Sequence, residues 1–468
     1  MAEAVARRDA AGKRGAPNRA DRPARRSRTF SQWVEAVTAT NAVVLVLNLC
    51  TGILAARILG PAGKGVFNAI NVWTGVFSSL AGMGLSTAFV SLYARADAAR
   101  RPGLARAALC LAVFWGLLAG LCVFFLAPRL VGHLAPGAAA WSRASSPLVA
   151  LITISGAAGG ILSAQTRFGS LNWITFGRAV LYAAAIVTFA GVGLLTPYSQ
   201  LTVSWSLFYI GCLITIVVAL TGLPLRLGPV RWADLWGLST LGWRFYSFSL
   251  LGLFNSQLDQ MLASAWLTAR DVGLYAVAIS SLSIVGMLPG SVGMVMFPMM
   301  AGDSREAIIA RTTRVLRVLS PLLVLTMVVT CLGAWPFLFL LYGKAYLPAI
   351  PVVWIIAPTA VFVGAISIIY QGCYALRWFA GPTWGEGVGA VGGAILLWLL
   401  IPRWGLDGAA AATMLSYLAD LLVVLIYWSR ASGTPLRDLL CRGEDLCYLA
   451  RELRQRLRLS HLLKGAWS

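Results

Sequence analysis

The sequence predicts an all-α membrane protein: twelve transmembrane helices in two six-helix lobes, with both termini cytoplasmic. Three observations predict it. Of the 468 residues, 59% are hydrophobic and only 12% charged, about half the ~25% charged content of a soluble domain, and the mean hydropathy is +0.77. The apolar residues fall in twelve long runs, and a crossing needs about 20 such residues. The Lys and Arg residues sit at the tails and in alternate connections between the runs, as topology signals do.

Taken in order, the runs are 34–58, 66–93, 104–126, 146–166, 177–195 and 201–221 for the first lobe. Those of the second lobe are 243–267, 272–298, 313–341, 348–376, 383–401 and 408–428. Several exceed the bilayer requirement, which implies tilt or ends that project into water. With both tails inside, only Arg57, Lys64, Arg129, Arg143, Arg270, Lys344 and Arg403 of the 38 Lys and Arg fall outside. An even number of crossings returns the chain to its starting side.

The flanking segments differ from this core. Residues 1–33 are basic and polar and contain no signal-peptide core, so they read as a disordered cytoplasmic tail. Residues 222–242 read as a cytoplasmic linker between lobes. In the tail 429–468, Leu446, Leu449, Leu453 and Leu457 recur at helical spacing with Arg451, Arg454 and Arg458 off that stripe. That pattern is a basic amphipathic helix suited to the inner leaflet, with partner binding as the alternative.

The net charge of +21 does not imply a nucleic-acid partner, because the charge is scattered over tails and connections rather than gathered in one patch. Six of the eight cysteines lie in apolar runs, where Cys acts as a small hydrophobe, and His133 and His461 are the only histidines. No metal site or Cys/His catalytic pair is expected, and no cofactor.

The segment LGPAGKGVFNA, 59–69, aligns with LTARDVGLYAV, 267–277, at a shift that sets Leu59 on Leu267, Gly65 on Gly273 and Phe67 on Tyr275. The same shift sets Gly82 on Gly290 and Phe89 on Phe297. Both segments join the first two helices of a six-helix block. Parallel repeats of this kind build transporters from two lobes with a cavity between them. Gly60 and Pro61 make the connection, since Gly tolerates a tight bend and Pro cannot extend the preceding helix.

These segments carry a family likeness. AARILGPAGKGVFNAI (55–70) resembles the first connection of bacterial polysaccharide flippases of the Wzx type, within the multidrug/oligosaccharidyl-lipid/polysaccharide (MOP) exporter superfamily. LDQMLASAWLTARDVGLYAVA, LYGKAYLPAIPVVWIIAP and LIPRWGLDGAAAATMLSYLADLL resemble later segments of the same proteins, so that the likeness spans 34–428. The resemblance implies the MATE-like two-lobe fold and movement of an undecaprenyl-type lipid-linked oligosaccharide between leaflets of the cytoplasmic membrane. It also implies a monomer in membrane lipid, with a polysaccharide polymerase and chain-length proteins as candidate partners.

Polar residues within the runs are the candidates for a cavity, because polar groups facing lipid are costly. Asn41, Asn48 and Thr51 share one face of the first helix. Asn71, Thr74, Ser78, Gly82 and Ser86 share one face of the second. Both stripes could instead hold helices together. Arg57 lies half a turn from Asn48, and either snorkels to headgroups or enters the cavity. Arg244, Asn255 and Asp259 fall within roughly 60° of one another on the seventh helix. Asp259 and Asp420 are deep enough to be coupling sites for a proton or Na⁺ gradient, with an internal polar lock as the alternative. Glu386 is expected near the inner interface, and Tyr370 and Gln371 could contact sugar. For the pyrophosphate that the resemblance implies, Arg178 and Arg244 are the candidate contacts and Lys344 an outer counterpart, with a purely topological role as the alternative.

Two other classes stand beside this one. A multidrug exporter of the same superfamily shares all of these features. A membrane glycosyltransferase or ligase would need a catalytic acid or base in a wet site near one face, yet Asp271 and Asp407 are the only acids assigned outside.

Overall fold

The computed structural model describes residues 30–97, 99–221, 229–281, 296, 300 and 303–439. The basic tail before residue 30, most of the eighth predicted run and the amphipathic helix predicted after residue 439 lie outside the described residues. Every regular element among the described residues is helical.

The first two predicted crossings form one bent element, α1 (Phe30–Gly82). The bend is a single residue, Gly60, with φ 67° and ψ 178°, a positive φ that glycine adopts without steric cost. Pro61 then opens the second arm, where its missing N–H is not needed. The last two crossings repeat the device in α13 (Ala380–Ser432), bent at Gly405 with φ 56°. Both bends fall where the sequence places its connections. Between them lie α2 (Leu85–Arg95), α3 (Arg101–Val131), α4 (Ala138–Ala144), α5 (Ser146–Ala164), α6 (Phe168–Gly191), α7 (Pro197–Thr221) and α8 (Trp232–Trp266). Helix α9 begins at 269 and is described to 281. It is followed by α10 (Arg305–Phe337), a π turn (Leu338–Tyr342), a 3-10 turn (Lys344–Ala349), α11 (Ile350–Ile356) and α12 (Pro358–Ala375). Eight helical stretches among the described residues are long and apolar enough to cross a membrane.

The second half of the segment assigned as the linker, 222–242, is helical from Trp232. The physical reason is amphipathicity. Leu238 is buried and Leu235 and Leu241 pack beside it against the first half of the molecule, while Trp232, Trp236 and Trp243 are exposed. An average over a hydropathy window hides such a helix.

The two halves of the chain meet differently at their two ends. At the Gly60 end there is one continuous core. Ile70, Trp73 and Leu201 from the first half share it with Tyr275, Tyr346 and Ile401 from the second. Hydrogen bonds fasten the same end: Trp73 Nε1 donates to Ser264 Oγ at 2.9 Å, Asn68 Nδ2 to Gln260 Oε1 at 3.2 Å, and Tyr346 OH to the Ala56 carbonyl at 3.0 Å. Toward the other end the core divides. Phe89, Leu104 and Ile161 form one cluster that includes Leu238 of α8. Ile308, Ile369 and Trp428 form another. Helix α8 is the exception to the division: Arg100, ahead of α3, forms an ion pair with buried Asp234 in its first turn.

Candidate functional site

The division leaves polar cavities on either side of α8. In the first half, a cavity of about 570 Å³ is lined by the hydroxyls of Ser78, Ser79, Ser86, Thr87, Thr153 and Tyr246. Ser79 and Thr87 are exposed, so the cavity reaches the surface. The lower part of the stripe read from the sequence, Ser78, Gly82 and Ser86, therefore faces a cavity. Its upper part does not: Thr74 is buried and donates to the Ile70 carbonyl at 2.8 Å, and Asn71 donates to the Phe67 carbonyl at 2.8 Å. Both are spent on their own helix. Phe208 lines the cavity, and the guanidinium of Arg178 stacks on its ring at 3.9 Å. Arg178 thus stands beside the cavity, half-buried, while its charge is satisfied in part by the aromatic face.

In the second half, two adjoining cavities of about 330 and 320 Å³ share Ser256, Val363 and Tyr417. Three carboxyl groups line them: Glu386 and Asp420 in one, Asp259 in the other. Their arrangement begins with the glycine-rich start of α13. Gly385, Gly389 and Gly393 recur every fourth residue on one face, and small residues at that spacing let helices approach closely. A β-carbon on Gly389 would sit 3.0 Å from Asn255 Nδ2, and one on Gly393 would sit 2.8 Å from Ser416 Oγ. The space holds polar side chains from α8 and from the second arm of α13.

Asn255 is the centre of the network. Its amide nitrogen donates to Glu386 Oε2 at 3.0 Å and Asp420 Oδ2 at 3.3 Å, using both protons. Its oxygen accepts from Ser416 Oγ at 3.2 Å. Asp420, 1% exposed, also accepts from Tyr370 OH at 3.0 Å. One turn along α8, buried Asp259 accepts from Tyr275 OH at 2.7 Å, and that hydroxyl lies 2.8 Å from Thr413 Oγ1.

The remaining candidates are placed as follows. Gln371 lines the cavity with Glu386 and Asp420. Asn255 and Asp259 share their face of α8 as the helical geometry required, but Arg244 is exposed and lines none of the three cavities. Asn41 and Asn48 are exposed, whereas Thr51 is buried and bonds to backbone carbonyls of its own helix. Arg57 is exposed and lines none of the three cavities. It donates to the Leu340 carbonyl at 2.8 Å, tying α1 to the π turn of the other half. A π turn frees carbonyls from the regular helical ladder, which explains the docking point. Glu386 has partners that were not legible in the sequence. It stands six residues into α13, where depth alone suggests an interface, and only the fold brings α8 and Asp420 against it. Tyr370 lines the same cavity, buried against Asp420.

Helices in two halves about polar cavities, joined at one end by a common core that divides toward the other, make a two-lobed helical membrane fold. Residues 53–351 match the family described as "Polysaccharide biosynthesis protein", and the chain belongs to that family. Among solved structures, it is similar to the lipid II flippase MurJ in an inward closed conformation, with a TM-score of 0.72, 15% identity, and 86% of this chain and 88% of that one covered. An inward-facing multidrug resistance MATE transporter of the MOP superfamily gives a TM-score of 0.61 at 12% identity, covering 86% of this chain and 99% of its own. A MOP superfamily transporter from Pyrococcus furiosus gives 0.55 at 12% identity, covering 86% and 95%. Among curated protein sequences none matches the chain. The fold is the one that these transporters share.

Proposed function

We propose that this protein carries a lipid-linked oligosaccharide of the undecaprenyl-pyrophosphate type from the cytoplasmic to the outer leaflet of the cytoplasmic membrane. One observation carries the reading: each half has a cavity beside the part of the core that is its own, lined by Leu85 in the first and Ile366 in the second, while the opposite end is closed by a core common to both. That is the shape of a carrier in one state of an alternating-access cycle. The positive-inside pattern assigns the divided end to the cytoplasm and both tails to the same side. The head group occupies the cavities in water while the prenyl tail remains in lipid. Arg178, beside the hydroxyl-lined cavity, is the contact for the pyrophosphate, because an unpaired anion buried there is prohibitively costly. The drive is a proton or Na⁺ gradient acting through Asp259 or Asp420; a cation between Glu386 and Asp420 relieves their like-charge repulsion.

A second reading is favoured by the carboxyl groups themselves. They suit a cationic drug, as a multidrug exporter of the same superfamily would require. Depletion of the protein in its host separates the two. The flippase reading expects lipid-linked repeat units to accumulate on the cytoplasmic leaflet. An unchanged leaflet distribution would falsify it, and heightened sensitivity to cationic drugs in its place would support the exporter.

A further inference from the structure

We infer that the two cavities of the second half receive the uncharged part of the glycan and reject sugars that carry acid groups. The inference deepens the carrier reading and rests on it. Glu386, Asp420 and Asp259 face these cavities, and no Lys or Arg is among their lining residues. The part of the eighth run outside the described residues adds none, since 282–302 contains no Lys or Arg. The ion pairs Arg100–Asp234 and Arg311–Asp303 involve none of the three acids.

A neutral pyranose suits this lining. Its hydroxyls donate to carboxyl oxygens and accept from Gln257, Gln371 and Tyr417, all at the cavity wall. A uronic acid in the same place brings a further carboxylate with no cation to meet it. Whatever protons the three acids hold, that group loses its hydration and gains no counter-charge. The cation stands in the other half. The repeat shift that sets Gly65 on Gly273 also sets Arg178 on Glu386, so equivalent positions of the two halves carry opposite charge. The halves thereby divide the substrate: pyrophosphate toward Arg178, sugars toward the acids.

The test uses the full-length protein in liposomes with two probes. One is a polyprenyl-pyrophosphate tetrasaccharide of neutral hexoses. The other has one distal hexose replaced by glucuronic acid. The neutral probe is expected to cross at least about ten-fold faster, a modest selectivity for a buried charge mismatch. Gln371→Arg, which installs a cation in the cavity, is expected to narrow that ratio several-fold. Glu386→Gln is expected to narrow it as well, and a ratio remains readable where a variant is slow. Equal transport of both probes, or preference for the uronate, overturns the inference and leaves the carrier reading intact. Transport of neither probe overturns the carrier reading and the inference with it. An unchanged ratio in both variants overturns the assignment of selectivity to these cavities.

Discussion

Gly65 and Gly273, equivalent positions of the internal repeat, pack backbone against backbone where the two halves join. A β-carbon on Gly65 would overlap the Ala269 carbonyl, and one on Gly273 would overlap the Pro61 carbonyl. The pair that reveals the repeat in the sequence is thus also its point of self-contact. No side chain larger than hydrogen fits there while the end stays joined.

The first prediction follows from that contact. Gly65→Leu or Gly273→Leu overpacks only the joined state, at a cost of roughly 1–3 kcal/mol. States of one transporter differ by a few kcal/mol, so the balance should shift toward parting at this end. In a background lacking the native cysteines, a cysteine at Asn68 should react several-fold faster with an impermeant maleimide. Unaltered reactivity would count against the contact as a gate.

Asp259→Asn should leave membrane insertion intact and lower transport; full activity in that variant would remove Asp259 from the site. Tyr275→Phe takes a donor from the same buried carboxylate. Losing a hydrogen bond to a buried polar group costs about 1–3 kcal/mol, so a lowered melting temperature in detergent should accompany the change.

The ion pair of Arg100 with Asp234 fixes α8 to the first half. Arg100→Ala and Asp234→Asn should each destabilise the protein, and the double variant by less than the sum. The expected coupling is roughly 0.5–3 kcal/mol, the range for contacting residues. Strict additivity in thermal unfolding would show the pair to be incidental.

Arg178→Ala should raise the KM for a pyrophosphate-linked probe more than it lowers kcat, because the contact proposed is one of binding. Arg178→Lys should recover part of the loss, the charge being kept and the planar stacking on Phe208 lost. An equal KM in all three proteins would remove the assignment.

How far the sequence was legible can be argued from particular residues. The bend at Gly60 was readable because a glycine beside a proline interrupts an apolar run; that at Gly405 was readable only as the gap between the last two runs. The polar face of Ser78, Gly82 and Ser86 was readable from its spacing. Asn255 and Asp259 were readable as one face of one helix. Glu386 was not, because its neighbours come from α8 and the far arm of α13. Leu238 was hidden by the tryptophans around it, whose exposure on the opposite face makes the start of α8 amphipathic. The acceptor of Arg57 was not legible, because a carbonyl of a π turn belongs to a backbone irregularity that side-chain patterns do not announce. The division of charge was not legible either: the polar groups lining the cavities are hydroxyls in one half and include three carboxyls in the other.

The central claim is that a lipid-linked oligosaccharide crosses only when the joined end of the two halves can part. Asn68 and Gln260 face each other across that junction, so cysteines at both positions in an otherwise cysteine-free protein can fasten it. In liposomes bearing a polyprenyl-pyrophosphate oligosaccharide, flipping should stop on oxidation and resume on reduction. Flipping that continues at the same rate with the junction crosslinked would contradict the account.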